Sequence, residues 1–328
     1  MRGATTRARS SAVEQDVQVA PLPDRWDVET DIAIVGGGAC GMIAGLRAAE
    51  AGAAVVILER DASPSGSTAL SSGFIPAAGT RAQRALGIDD SEALFAADIQ
   101  AKAGGSAHPG ITATATAAVA PALDWLEARH GFDWLVLDDF LYPGHRRHRM
   151  HTVPEKTGAA LVARLMTAID ALDVPLVTGA RVTRLHAAGG RVRGVTTARP
   201  DGREETIAAK AVILACNGYG GNPRLVDEHI PEIADALYFG HAGNTGDAVL
   251  WANGVGAATR DMSGYQGHGS VIHPHGILCT WALMMEGGIQ VNSAGQRFSI
   301  RSPRKPFLRI ELQDQCSQVS ISNRLLPK

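Results

Sequence analysis

The chain has 328 residues, a net charge of −2, 45% hydrophobic and 20% charged residues, which is the composition of a globular protein large enough for a sizeable core. The near-neutral charge gives no basic field for nucleic acid, and no apolar stretch reaches membrane-spanning length. Four cysteines show neither metal spacing nor disulfide density, so they fit a reducing compartment and a cytoplasmic location.

Residues 1–29 carry arginines and scattered acids without an apolar signal region and read as a flexible leader. Residues 31–35 and 54–58 are continuous apolar runs, as expected of buried parallel strands. Between them lies Val35-Gly-Gly-Gly-Ala-Cys-Gly41, followed by a helical pattern over 40–51 that Gly52 ends. Each glycine has a separate expected role. Gly36 allows the turn off the strand, Gly38 lets the backbone approach a pyrophosphate, and Gly41 lets the helix pack close to the sheet. The helix start at Ala39 and Cys40 offers N–H groups and a partial positive charge to phosphates. Glu59 falls 23 residues after Gly36, where an acid binds a ribose hydroxyl pair. The alternative is a glycine turn in an unrelated α/β protein.

The acid favours an unphosphorylated adenosine ribose, hence NAD or FAD over NADP, and the turn alone does not separate these two. The residues that follow favour FAD. Arg60 opens a loop of small residues through Ile75, including Gly66, Ser67, Thr68, Ser72 and Gly73, able to bring N–H and hydroxyl donors onto a flavin and its phosphates. Helices are expected over 91–103, 111–130 and 157–172, and a short strand over 132–137. Residues 144–151 concentrate His and Arg side chains, which reads as a solvated basic loop or, alternatively, an anion funnel toward a substrate cleft. Residues 175–185 and 191–197 read as strands of an antiparallel meander, with turns at Gly189-Gly190 and Pro200-Asp-Gly202. The meander leads into an apolar strand over 211–216 and a second glycine turn, and Asn244-Thr-Gly-Asp247 follows.

The ordered motifs Val35–Gly41, Gly66-Ser-Thr-Ala-Leu-Ser-Ser-Gly73, Val212-Ile-Leu-Ala-Cys-Asn-Gly-Tyr-Gly-Gly-Asn222, Asn244-Thr-Gly-Asp247 and Glu286-Gly-Gly-Ile-Gln-Val-Asn-Ser-Ala-Gly-Gln-Arg-Phe298 resemble the flavoprotein family of fumarate reductase and succinate dehydrogenase, including soluble fumarate reductases and ketosteroid dehydrogenases. The resemblance covers about residues 30–299. It implies an α/β fold: a Rossmann-type FAD-binding domain over 30–262 with an antiparallel β-meander insertion, then the start of a substrate-capping domain over 263–299. It implies FAD as cofactor and hydride transfer between flavin N5 and a substrate C–C or C=C bond. Val182 matches the position that passes the adenine, Ala215, Asn217 and Gly218 match the second turn, and Asp247 matches an acid near the flavin. Asn217 departs from the family's glycine there, but asparagine tolerates left-handed backbone angles.

His268 and Thr280 match the family's histidine and threonine substrate contacts; their plainer readings are a loop histidine and a packed threonine. Trp281 stands where fumarate reductases carry a glutamate of the proton relay; its plainer reading is a core tryptophan. Tryptophan carries no proton, so the usual relay is in doubt and a more apolar substrate is implied. The expected partners are a small molecule (an unsaturated or saturated acid, or a steroid-like ketone) and an unidentified electron donor or acceptor, with no nucleic acid, metal or membrane span. Residues 300–328 contain neither alanine nor glycine and read as a non-family tail. The expectation is a truncated or frameshifted reading of a longer gene, against a short natural paralogue with its own tail. Two other functional readings stand beside the oxidoreductase: an inactive FAD-binding remnant, and an NAD-linked dehydrogenase, which residues 66–73 and 244–247 disfavour.

Overall fold

The computed structural model describes residues 18–139, 141–236 and 238–265, and the backbone of short strands at 271–272 and 277–278. Their chain divides into two compact units, Met1–Glu228 with Gly240–Arg260, and His229–Phe239 with Asp261–Lys328.

In the first unit, β1 (Gln18–Ala20) precedes β2 (Val28–Val35), α1 (Ala39–Glu50) and β3 (Val55–Leu58). Part of the expected leader is therefore folded. β1 pairs in parallel with a meander strand, and Asp27 exchanges hydrogen bonds with Thr206. A short helix α2 (Ser67–Leu70) and strand β4 (Ile75–Pro76) follow. Next come α3 (Arg81–Ala85), α4 (Glu92–Lys102), α5 (Pro109–His130), β5 (Leu135–Val136), β6 (Met150–Thr152) and α6 (Gly158–Ala171). Their boundaries follow from local chemistry. Thr80, Ser91 and Thr157 each accept a first-turn N–H, and left-handed Gly131 closes α5.

The expected strand over 175–185 is two strands. β7 (Leu176–Val177) pairs in parallel with β3, and β8 (Arg181–Ala188) begins after Gly179, which turns at φ +58°. β8 runs antiparallel to β9 (Arg191–Ala198), which runs antiparallel to β10 (Glu204–Leu214). β10 also pairs in parallel with β2 through Leu214 and Val35, so the last meander strand and the expected strand at 211–216 are one element. The result is a seven-stranded sheet in the order β1-β8-β9-β10-β2-β3-β7. A separate sheet has the order β4-β6-β5. Helices α7 (Pro223–His229) and α8 (Asp247–Gly254) follow β10.

Alternation along β2 and β3 builds two cores. Ile34 and Ile57 join Met42 and Leu46 of α1, Leu126 of α5, and Leu161, Leu165 and Ile169 of α6. Ala33, Val35 and Leu58 join Val182, Leu185, Val195, Ile207 and Trp251. The second unit contains a 3₁₀ turn at Pro231–Ile233 and the antiparallel pair β11 (Val271–Ile272) and β12 (Ile277–Leu278). Among the described residues, no helix is long and apolar enough to cross a membrane.

The basic run 144–151 is only partly the solvated loop expected: Arg146 and Arg147 are exposed, whereas Arg149 and His151 are buried. Arg149 is completely buried, donating to Asp90 at 2.7 and 2.8 Å and to Asp98 at 2.5 Å. Arg146 also pairs with Asp98. Burial would raise the Asp98 carboxyl, but hydrogen bonds from Arg149 and Arg146 outweigh it and hold it at about 2. His151 Nδ1 donates to the Arg149 carbonyl and its Nε2 accepts from the Thr80 hydroxyl, which fixes the neutral tautomer. Burial likewise pushes the His151 pKa down. The Arg149 cation and the neutral His151 ring therefore hold α3, α4 and β6 together rather than facing solvent.

Candidate cofactor cleft

A cleft of about 500 Å³ opens where the first strands of the sheet end. One wall is the turn from β2 into α1, contributed by Gly36, Gly38, Ala39 and Cys40. The second comes from Glu59, Arg60 and Asp61 beyond β3, and from Gly66, Ser67 and Thr68 at the start of α2. Ala180, Arg181 and Val182 line it from β8, and Ala215, Cys216 and Asn217 from the end of β10. The segment from His241 to Asp247, with Trp251 of α8, completes it.

The three motif glycines are held by different constraints. Gly36 has φ +111°, and a Cβ there would lie 2.5 Å from the Ala215 carbonyl oxygen. A Cβ on Gly41 would lie 1.9 Å from the Gly36 oxygen, so α1 packs against the turn only because Gly41 lacks one. Gly38 is unlike them. Its φ of −74° suits any residue, and its Cβ would meet only the Thr68 hydroxyl at 3.3 Å. As N-cap of α1 it supplies no side-chain acceptor. The Ala39 N–H reaches the Thr68 hydroxyl at 3.1 Å. The first turn of α1 thus faces the cleft with a positive helix end and no acidic side chain.

Glu59 is buried, and both carboxylate oxygens are anchored by backbone. Oε2 accepts from the Gly37 N–H at 2.8 Å and Oε1 from the Asp61 N–H at 2.9 Å. Each carboxylate oxygen keeps a further lone pair for a ligand hydroxyl. This cradle fits a dinucleotide: donors at a helix start for phosphates and a carboxylate beyond the next strand for a diol.

A clasp links the segment at 240–247 to the loop after β3. Arg60 Nη1 donates to the Gly243 carbonyl at 2.7 Å, and His241 Nε2 lies 2.9 Å from Asp61 Oδ2. The Asn244 amide donates to Ser67 Oγ at 3.1 Å, and the Asn217 amide also reaches Ser67. Asn217 takes φ +68°, the left-handed angle expected of it. Its Oδ1 accepts from the Gly218 N–H at 2.8 Å, which stabilises the turn. Thr245 donates to Asp247 at 2.6 Å. Burial first, then the Asp247 carboxylate, pushes the Cys216 thiol up to about 11.

Several expected residues do not line the cleft. Gly41 lies beneath the turn, Gly73 faces Thr157 and Gly158 of the α6 start, Gly218 directly follows lining Asn217, and Ser72 lies beyond the last lining residue of its loop, Thr68. His268, Thr280 and Trp281 lie outside the described residues. Conversely, Asp61, Ala180, Arg181, His241, Gly243, Asn244 and Trp251 line the cleft without having been singled out as site residues. For Trp251 a signal existed, since it falls one helical turn after Asp247.

Residues 31–324 match the sequence profile of the FAD binding domain family. The chain belongs to this FAD binding domain family. FAD is the cofactor of the family and of this chain. The match continues past Ser299, where the recognisable motifs end. The chain is 26% identical over 296 residues to the NADH:fumarate oxidoreductase of Klebsiella pneumoniae, covering 89% of this chain and 31% of that protein. It is 30% identical over 281 residues to the probable fumarate reductase Ifc3 of Shewanella frigidimarina, covering 82% of this chain and 46% of that protein. It therefore spans less than half the length of these relatives. Its fold superposes on the open conformation of a flavocytochrome c3 fumarate reductase with a TM-score of 0.75 and 27% identity, covering 83% of this chain and 48% of that one. The mixed α/β architecture expected of an FAD-binding flavoprotein is the one observed.

Proposed function

We propose that this chain forms the FAD-holding part of an oxidoreductase of the fumarate reductase/succinate dehydrogenase type, acting between flavin and a substrate C–C or C=C bond. The observation that carries the proposal is the open start of α1 facing Glu59 across one cleft, in a chain of the FAD binding domain family. When bound, the flavin supplies two-electron redox chemistry. The protein residues bind and orient. In this reading Gly36, Gly38, Ala39 and Cys40 receive the pyrophosphate, and Glu59 holds the adenosine ribose. Val182 passes the adenine by its backbone. Ser67, Thr68, Asn217 and Asp247 border the remainder of the cofactor.

His268 and Thr280 are proposed to hold the substrate in a capping domain that begins near residue 263. Trp281, in place of a relay glutamate, favours a substrate more apolar than a dicarboxylate. The electron partner is an unidentified donor or acceptor. Free thiols at Cys40 and Cys216 favour a reducing, cytoplasmic location.

The test is anaerobic reduction of the FAD-loaded chain, followed by reoxidation with two substrate classes. Fumarate represents the dicarboxylates and a conjugated 3-ketosteroid the apolar enones. Reoxidation by the enone in preference to fumarate is expected. An FAD-loaded chain that neither class reoxidises refutes the oxidoreductase reading and leaves a nucleotide-binding protein.

A further inference from the structure

Trp251 is 1% exposed and is among the largest fully buried side chains of the fold. Its indole Nε1 is buried, yet it has no hydrogen-bond acceptor among the described residues. Two partly buried indoles behave differently. Trp125 donates to Glu50 at 2.9 Å and Trp134 to the Leu123 carbonyl at 3.0 Å. A buried indole N–H normally finds a partner, because leaving one unmade forfeits its solvation without replacement. The same side chain borders the cofactor cleft together with Asp247, one helical turn earlier on α8. It packs in one cluster with Ala180 and Val182, the segment read as passing the adenine, and with Leu58, which precedes Glu59.

We propose that Trp251 is a cofactor-binding residue whose indole N–H donates to an acceptor on the adenosine half of bound FAD. The inference rests on the reading that FAD occupies this cleft. An adenosine offers ring nitrogens and ribose oxygens as acceptors, and any of them answers the unpartnered donor. The ring body of Trp251 belongs to the core, so the residue joins the stability of the second core to cofactor recognition.

The test compares wild type with Trp251→Phe, which removes the N–H and keeps an aromatic ring. Binding of FAD, ADP and FMN to the flavin-free full-length chain is measured by calorimetry, alongside thermal unfolding. FAD and ADP should each bind about three- to tenfold more weakly to the variant, the loss expected for one hydrogen bond. FMN lacks adenosine and should be unaffected. The flavin-free variant should unfold no more than a few degrees from wild type. A second readout uses wild type alone: the Trp251 indole proton resonance should move downfield when ADP saturates the protein, even where the variant fails to fold. Unchanged FAD and ADP affinities, an equal loss for FMN, or an indole resonance that ADP does not move each overturns the inference. A folded wild type that binds neither FAD nor ADP overturns the cleft reading and this inference with it.

Discussion

Alanine substitution at the three motif glycines should separate scaffold from ligand contact. Gly36→Ala forces an L residue to φ +111° and sets its Cβ 2.5 Å from the Ala215 oxygen. The backbone strain is about 1–3 kcal/mol. Relief of the clash must displace the end of β10, where Ala215 N–H donates to the Val35 carbonyl at 2.8 Å, and loss of that bond adds about 1 kcal/mol. The sum is about 2–4 kcal/mol, a fall in midpoint of about 5–15 °C for a domain of this size. Gly41→Ala should be at least as damaging, since its Cβ would lie 1.9 Å from the Gly36 oxygen. Gly38→Ala needs no unusual backbone angle and asks the Thr68 hydroxyl to give only a few tenths of an ångström. Its cost without FAD should be about 0.5–1 kcal/mol, the penalty of alanine at an N-cap. It nevertheless places a methyl group on the cleft side of the turn, and FAD affinity should fall at least about tenfold, equivalent to 1.4 kcal/mol. Thermal unfolding of the flavin-free proteins and FAD calorimetry supply both numbers. If Gly38→Ala unfolds as readily as Gly36→Ala while binding FAD like wild type, the division of roles is wrong.

Glu59→Gln replaces a two-oxygen acceptor by one oxygen and an amide, leaving the Gly37 or Asp61 N–H facing a donor. Unfolding should show a loss of about 1–3 kcal/mol, with weaker FAD binding beyond what stability explains. Asp98→Asn should cost about 3–5 kcal/mol by leaving the buried Arg149 charge half-compensated, measured by denaturant titration. Because the folded Asp98 pKa lies at about 2, below its usual value of 3.8, its contribution is complete above about pH 4. It is lost as pH falls from about 4 toward 2, removing about 2 kcal/mol that the Asn variant should not lose. Iodoacetamide at pH 8 should label exposed Cys40 and spare Cys216, whose thiol is pushed up to about 11. FAD should protect Cys40, as read by peptide mass spectrometry; rapid labelling of Cys40 in the FAD-loaded chain would place the cofactor elsewhere.

The sequence made the β2–α1–β3 unit legible because its signals are local: apolar runs, spaced glycines and an acid at a fixed distance. The helix starts at Ser91 and Thr157 were legible for the same reason, as short polar caps before apolar stripes. The extension of β10 back to Glu204 was not legible, because its first three residues, Glu204 to Thr206, are polar and pair only with β9. The division of 175–185 depended on Gly179, whose positive φ sends β7 and β8 to different neighbours in the sheet. Burial of Arg149 could not be read from its basic surroundings, since Asp90 and Asp98 come from segments 59 and 51 residues away. The clasp through His241, Asp61, Asn244 and Ser67 is tertiary in the same sense. No local pattern announces it.

The most direct measurement is titration of the flavin-free, folded chain with FAD, with ADP as competitor and circular dichroism as the control for folding. The expected result is saturable binding of one FAD per chain, displaced by ADP and weakened by Gly38→Ala. A chain with intact secondary structure that takes up no FAD, or takes it up without competition from ADP, contradicts the assignment of this cleft.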